Sequence, residues 1–127
     1  MIVADTSTWI AFLQGAPGDD VDRLDQALHD RQVAMAPVVL TELLSDPKLP
    51  SSVARHLLQV PLLELEPGFW QRAGELRVKG LAKGRRARLG DALIAQTCID
   101  RSCSLVTRDR DFRALAAAAG LRLILLA

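Results

Sequence analysis

Five short apolar runs divide the chain, and each predicts a β-strand: residues 1–4, 32–36, 61–65, 105–107 and 121–126. The runs are continuous rather than alternating, which is typical of parallel strands whose two faces are both covered. Between them lie apolar residues at helical spacing. The pattern therefore predicts an α/β fold of three layers, α/β/α, around a central parallel sheet of about five strands.

Polar residues and prolines mark where the predicted helices begin. Short polar side chains at a helix start bond to free backbone N–H groups, and proline is favoured at the first helical position. These rules predict Thr6 or Ser7 as the cap of a helix over 9–13, Asp19 or Asp20 as the cap of the next, Pro37 as the first residue of a third, and Ser51 or Ser52 as the cap of a fourth. Further on, Phe69 and Trp70 share a helical stripe with Leu76, so both aromatic side chains are predicted to pack in the core.

Composition indicates one ordinary globular domain spanning residues 1–127. Half of the 127 residues are hydrophobic, enough for a core without disulfide or metal support. Cys98 and Cys103 match no common metal or redox spacing and are predicted to be reduced core residues. The sequence shows no membrane-spanning run and no signal peptide, so a cytoplasmic protein is expected.

Four carboxylates occupy comparable places in this predicted order. Asp5 and Asp109 follow predicted strands directly, while Glu42 and Asp91 lie in the first turns of helices. Because the carboxyl ends of parallel strands meet at one sheet edge, the four are expected to converge. Carboxylates so close stay ionised together only around a cation, and oxygen ligands without His or Cys favour Mg²⁺ or Mn²⁺. The expected reaction is hydrolysis of a phosphodiester.

A basic segment precedes Asp91. Residues 77–88 contain six basic residues and no acid, although the formal net charge of the chain is only +1. We expect this segment to form a loop that holds the nucleic-acid backbone beside the carboxylates. The predicted RNA-binding residues are Lys79, Lys83, Arg85, Arg86 and Arg88.

Four motifs in order resemble those of PIN domains, and of VapC-type toxins in particular. They are Ile2-Val3-Ala4-Asp5-Thr6-Ser7, Thr41-Glu42-Leu43, Gly90-Asp91-Ala92-Leu93-Ile94-Ala95 and Leu105-Val106-Thr107-Arg108-Asp109-Arg110-Asp111-Phe112. The resemblance implies a Mg²⁺- or Mn²⁺-dependent endoribonuclease with sheet order 3-2-1-4-5. It also implies a homodimer held inactive in a hetero-oligomer with a cognate VapB antitoxin.

The resemblance carries over residue by residue. It implies Asp5, Glu42, Asp91 and Asp109 as the metal-binding and catalytic acids. Hydroxyl groups of Thr6 or Ser7 and of Thr107 would support the first and last acids.

Several alternatives stay open at this point. Asp111 could replace Asp109 as the fourth acid, or it could cap the following helix. The chain could be a non-catalytic PIN-like module that binds RNA or protein, or another metal-dependent phosphohydrolase. A phosphoaspartate enzyme of the haloacid-dehalogenase type is disfavoured because Ser7 stands where that class needs a second Asp.

Overall fold

The computed structural model describes residues 1–82, 84 and 86–125, and it is an α/β fold as the sequence pattern predicts. Short strands lead into helices, and the chain closes on a strand. In order, the elements are β1 (Ile2–Ala4), α1 (Thr6–Leu13), α2 (Asp19–His29), α3 (Pro37–Leu44), α4 (Ser51–Gln59), α5 (Phe69–Ala82), α6 (Leu89–Asp100), β2 (Ser104–Thr107), α7 (Phe112–Ala119) and β3 (Leu123–Leu125).

The sheet is parallel, in the order β1-β2-β3. In its register Val3 pairs with Leu105, and Ala4 pairs with Val106. All four of these residues are completely buried. Consecutive strand residues point to opposite faces, so both faces of this part of the sheet are covered, as the three-layer prediction requires.

The prediction of about five strands is wrong for the described residues, where the sheet has three. The predicted strands at 32–36 and 61–65 make only the isolated parallel bridges Ile2 to Val33 and Met35 to Leu62. The segment at 32–36 bridges to β1 on the side away from β2, and the segment at 61–65 bridges to 32–36. This agrees with the neighbour order 3-2-1 expected for that half of the sheet. Their ladders stop early because Pro37 starts α3 at once and Pro61 has no N–H to donate.

Several helix starts differ from the predictions, although Pro37 is the first residue of α3 as expected. Asp5 caps α1, in place of Thr6 or Ser7. The N-cap residues of α2 and α4 are Gly18 and Pro50, and neither makes a side-chain capping hydrogen bond. At α1 and α2 the predicted capping side chains bond elsewhere: Thr6 to Glu42, Ser7 to Asp5, and Asp20 to Arg108.

Two further predictions about α5 and its neighbourhood are wrong. The helix runs to Ala82, so the first half of the basic segment is helical rather than a loop. Phe69 is buried as predicted, but the neighbouring Trp70 is exposed. Adjacent residues on a helix point about 100° apart, so only one of the two aromatics faces the core.

Other core predictions are confirmed. Cys98 and Cys103 are both free and buried. None of the helices in the described part of the chain is long and apolar enough to cross a membrane.

Candidate metal centre

Asp5 is the most heavily bonded of the predicted acids. It follows β1, is almost fully buried, and one of its oxygens accepts the Thr8 N–H at 3.0 Å. Ser7 donates its hydroxyl to both carboxylate oxygens, at 3.0 and 2.8 Å, and Thr107 donates to Oδ2 at 2.6 Å. Burial raises the pKa of Asp5, and these hydrogen bonds partly oppose the rise. The carboxylate is therefore fixed in orientation before any ligand arrives.

Thr107 connects Asp5 to the last acidic motif. Its side chain is fully buried at the end of β2. While its hydroxyl donates to Asp5, the same oxygen accepts the N–H of Asp109 at 2.9 Å. The parallel register of β1 and β2 thus brings both strand ends, and the carboxylates that follow them, to one edge.

Asp91 lies in the first turn of α6. Its Oδ2 atom is buried and has no hydrogen-bond partner among the described residues. Burial, and next the charge of Asp109, raise the pKa of Asp91 to about 6; Asp5 and Asp111 add to the rise, and Arg88 opposes it. A buried carboxylate oxygen without a partner costs free energy unless a proton or cation meets it.

Glu42 reaches the same site from α3. It is exposed, and its Oε1 accepts the hydroxyl of Thr6 at 2.8 Å. The two hydroxyls that the sequence offered near Asp5 are therefore divided between two acids. Ser7 bonds to Asp5, and Thr6 bonds to Glu42.

The four predicted acids line one pocket of about 230 Å³. Its other lining residues are Thr6, Ser7, Ile10, Arg88 and Ile94. A larger cavity of about 580 Å³ elsewhere has no carboxylate among its described lining residues. The convergence expected from the strand and helix order is therefore present in the geometry.

Asp111 also approaches this pocket. One oxygen each of Asp91, Asp109 and Asp111 lie within 4.8 Å of one another. Asp111 occupies the cap position of α7, but its side chain makes no capping hydrogen bond. Its backbone N–H instead donates to Asp109 Oδ1 at 2.9 Å. The geometry gives no support to capping as the role of the Asp111 side chain.

The residues present fit a divalent cation. The donors are all oxygen atoms, a set that suits Mg²⁺ or Mn²⁺. Oδ2 of Asp91 has no hydrogen-bond partner among the described residues, and the negative charges of Asp109, Asp5 and Asp111 lie near this carboxylate. A cation bound there would offset the repulsion between the carboxylates and would give the buried oxygen a partner.

The described members of the predicted RNA-binding set lie on α5 and in the segment between α5 and α6. Arg88 lines the acidic pocket, and Lys79 is exposed on α5. Arg86 is exposed between α5 and α6, whereas Lys83 and Arg85 lie outside the described residues. Of this set, Arg88 is the described member that adjoins the carboxylates.

Sequence reasoning missed one feature next to the pocket. Arg108, inside the last motif, pairs with the fully buried Asp20 through Nε at 2.7 Å and Nη2 at 2.8 Å. The sequence predicted Asp20 only as a possible helix cap. No local pattern joins two residues so far apart in the chain, so this pairing had no sequence signal.

Comparison with known proteins agrees with the fold. Solved structures similar to this chain include VapBC2 from Rickettsia felis bound to a promoter DNA fragment, with TM-score 0.74, 23% identity and coverage of 98% of both chains. VapBC-5 from Mycobacterium tuberculosis has TM-score 0.71, 26% identity and coverage of 98% and 97%. DNA-bound VapBC from Salmonella typhimurium has TM-score 0.71, 20% identity and coverage of 98% of both chains.

A search of curated proteins finds no significant match. The family model of the PIN domain, however, matches residues 2–118, nearly the whole chain. Together with the parallel sheet and the shared acidic pocket, this match assigns the chain to the PIN domain family.

Proposed function

We propose that the protein is a Mg²⁺- or Mn²⁺-dependent endoribonuclease that acts as the toxin of a toxin–antitoxin pair. The observation that carries the proposal is the pocket shared by Asp5, Glu42, Asp91 and Asp109, in which a buried oxygen of Asp91 has no partner among the described residues. PIN domains are generally nucleases, so family membership and site chemistry agree.

In this proposal the acids divide into fixed and exposed members. Asp5, held by Thr8, Ser7 and Thr107, would be the central metal ligand, with Asp91 beside it. A bound divalent ion would lower the pKa of a water molecule and neutralise charge on the phosphate. Glu42, exposed at the rim, would orient the attacking water, and either Asp109 or Asp111 would complete the ligand set.

Basic residues would hold the RNA backbone beside these acids. Arg88 lines the pocket itself, close enough to lower the pKa of Asp91, which supports a role in which its side chain would contact the phosphate that is cleaved. Lys79 and Arg86 are exposed and would bind neighbouring phosphates. Lys83 and Arg85 stay predicted members of the same basic segment. RNA as the substrate rests on the resemblance of the motifs to VapC-type toxins.

A VapB-type antitoxin is the proposed partner. The similar structures from three bacteria are described as VapBC assemblies, and their chains match this one over nearly its full length. In support, an apolar cleft of about 480 Å³ adjoins the acidic pocket, sharing Ile10 and Glu42 with it. An antitoxin segment in this cleft could place an arginine against the carboxylates.

The predicted homodimer is also a proposal. One side of α5 exposes the apolar residues Trp70, Val78 and Leu81. Exposed apolar surface of this kind is typical of a protein–protein interface. A second copy of the chain is the partner that the resemblance implies.

The direct test compares cleavage of structured and single-stranded RNAs by wild type, Asp5→Asn and Asp91→Asn, with Mg²⁺ or with a chelator. We expect each substitution to lower the cleavage rate by at least about 100-fold, since a bound ion contributes several kcal/mol to the transition state. Asp22→Asn is the matched control, because it removes one exposed carboxylate from α2.

The outcomes separate the candidate functions. Equal cleavage by all variants, or cleavage unaffected by chelation, would contradict the proposal. RNA binding without cleavage under any metal condition would favour the non-catalytic module instead.

A further inference from the structure

A closed ring of interactions includes Asp5, one of the acids that line the pocket. Asp5 Oδ1 accepts the Thr8 N–H, and the Thr8 hydroxyl donates to Asp20 Oδ2 at 2.8 Å. Asp20 binds Arg108, whose chain neighbour Thr107 donates back to Asp5 Oδ2. The ring thus joins α1, α2 and the end of β2 through side chains that are mostly buried.

The Asp20–Arg108 pair is the part of this ring that has no role in the proposed reaction. Asp20 is fully buried, although a charged residue in the first turn of a surface helix is usually exposed. Burial alone would raise the pKa of Asp20, but the bonds from Arg108 and Thr8 outweigh it, so the pKa is lowered. The pair therefore stays ionised, and its two-point geometry fixes orientation as well as charge.

The backbone of residues 17–18 packs directly against the pair. Arg108 Nη2 also donates to the Pro17 carbonyl at 3.3 Å. A Cβ atom built on Gly18 would lie 2.6 Å from Asp20 Oδ1 and 2.7 Å from Arg108 Nη2. Gly18, which has a φ of 155°, thus allows the backbone to pass directly against the ion pair.

We propose that Asp20 and Arg108 are positioning residues that hold Asp5 and Asp109 at the spacing a shared metal ion needs. Arg108 lies between Thr107 and Asp109, so fixing its guanidinium fixes the turn that carries Asp109. Asp20 acts on Asp5 through Thr8, which bonds to both carboxylates. Neither positioning residue lines the pocket. The inference rests on the proposed metal-dependent function of that pocket.

The test compares Arg108→Gln and Arg108→Lys with a matched control, Arg72→Gln. Arg72 forms a comparable two-point pair with Asp100, at 3.2 and 2.5 Å, at the opposite end of α6 from Asp91. Arg72→Gln therefore removes the same chemistry from a pair whose described hydrogen bonds do not involve any residue that lines the pocket. Asp20→Asn is a milder variant that keeps the side-chain shape, in case Arg108→Gln does not fold.

Three measurements are made on each variant: Mn²⁺ affinity by calorimetry, hydrogen exchange of the Thr8 and Asp109 amides in metal-free protein, and urea unfolding. We expect Arg108→Gln to weaken Mn²⁺ binding by about 10- to 100-fold, as changes behind metal ligands commonly do. Both amides should exchange faster. Arg108→Lys should give Mn²⁺ affinity and amide exchange rates between those of wild type and Arg108→Gln, because lysine keeps the charge but cannot reproduce the two-point contact.

RNA cleavage gives a further readout. In Arg108→Gln the Mn²⁺ concentration for half-maximal cleavage should rise, while KM for RNA stays unchanged. Arg72→Gln should lower stability and leave Mn²⁺ affinity as in wild type, and it should speed exchange of the two amides by no more than its loss of unfolding free energy accounts for.

The inference and the proposed function fail differently. If wild type binds no Mn²⁺, the proposed function is wrong, and exchange in the metal-free protein alone decides whether the pair positions the two segments. If wild type binds Mn²⁺ and Arg108→Gln matches Arg72→Gln in affinity and exchange, the positioning role is wrong.

Discussion

Asp91→Asn should stabilise the metal-free protein while abolishing its activity. The substitution keeps the shape of the side chain and removes a charge that lies among other carboxylates. The pKa of Asp91 is raised from an ordinary value of 3.8 to about 6, mainly by burial and by Asp109. At about 1.36 kcal/mol per pKa unit, the charged form costs about 3 kcal/mol at pH 7.5. Because the side chain is partly exposed, solvent screening reduces this to about 1–1.5 kcal/mol.

The sign of the pH dependence follows from the raised pKa. The fold favours the protonated carboxyl, so this contribution to stability is fully present below pH 3.8 and is lost as the pH rises through about 6. The advantage of Asp91→Asn over wild type should therefore be largest at pH 7.5 and fall to a few tenths of a kcal/mol near pH 4.

Urea unfolding in the presence of a chelator, at pH 7.5 and pH 4, measures the difference. At pH 7.5 the expected gain corresponds to a rise in Tm of about 3–7 °C for a chain of this size. Saturating Mg²⁺ should reverse the order, because binding at 100 times Kd adds about 2.7 kcal/mol to wild type alone. A variant less stable than wild type at pH 7.5 without metal would refute the reasoning, as would a gain independent of pH.

Three further changes test neighbouring contacts. Thr107→Val removes the buried hydroxyl that links Asp5 to the Asp109 N–H. Because hydrogen bonds to charged groups contribute about 1.5–3 kcal/mol, the substitution should lower the free energy of unfolding in urea by about 2–3 kcal/mol. A loss below about 0.5 kcal/mol would contradict the link. Arg88→Gln should weaken RNA binding and reduce its salt dependence by about one phosphate contact, measured by fluorescence anisotropy at several salt concentrations, and an unchanged salt slope would exclude a phosphate contact. Trp70→Ser should raise the dimer dissociation constant in analytical ultracentrifugation, and an unchanged constant would place the interface elsewhere.

The sequence predicted the acidic pocket well because it depends on chain order. Asp5 directly follows the apolar residues of β1, and in a parallel sheet every such position meets the same edge. The first-turn position of Asp91 in α6 likewise follows from a nearly charge-free helix that begins after a basic segment. Predicting these features requires only the charges of neighbouring residues and the spacing of apolar residues along the chain.

The sequence could not predict contacts that depend on tertiary packing. Asp20 was predicted as a possible helix cap because it closely follows the break at residues 15–18. In the structure its carboxylate instead accepts a hydrogen bond from Arg108, the residue that follows the carboxyl end of β2. Asp5 caps α1 while it also belongs to the pocket, which displaced the cap predicted at Thr6 or Ser7. The strands predicted at 32–36 and 61–65 failed for a different reason, since the neighbouring prolines Pro37 and Pro61 leave the two segments with isolated bridges instead of continuous ladders.

The acids of the pocket are held by elements of different kinds. Asp5 and Asp109 follow the paired strands β1 and β2, and Asp91 belongs to the buried helix α6. Glu42 belongs to α3, which follows a segment joined to β1 by two backbone bonds, from Ile2 to Gln32 and from Ala34 to Ile2. The Glu42 side chain is exposed, and its described hydrogen bond comes from the Thr6 hydroxyl. Exposed groups with few contacts are the most mobile parts of a native protein. We therefore expect Glu42 to sample several positions in the free protein, so that the pocket would close in two stages: a preformed group of aspartates, then a glutamate that settles when metal or RNA binds.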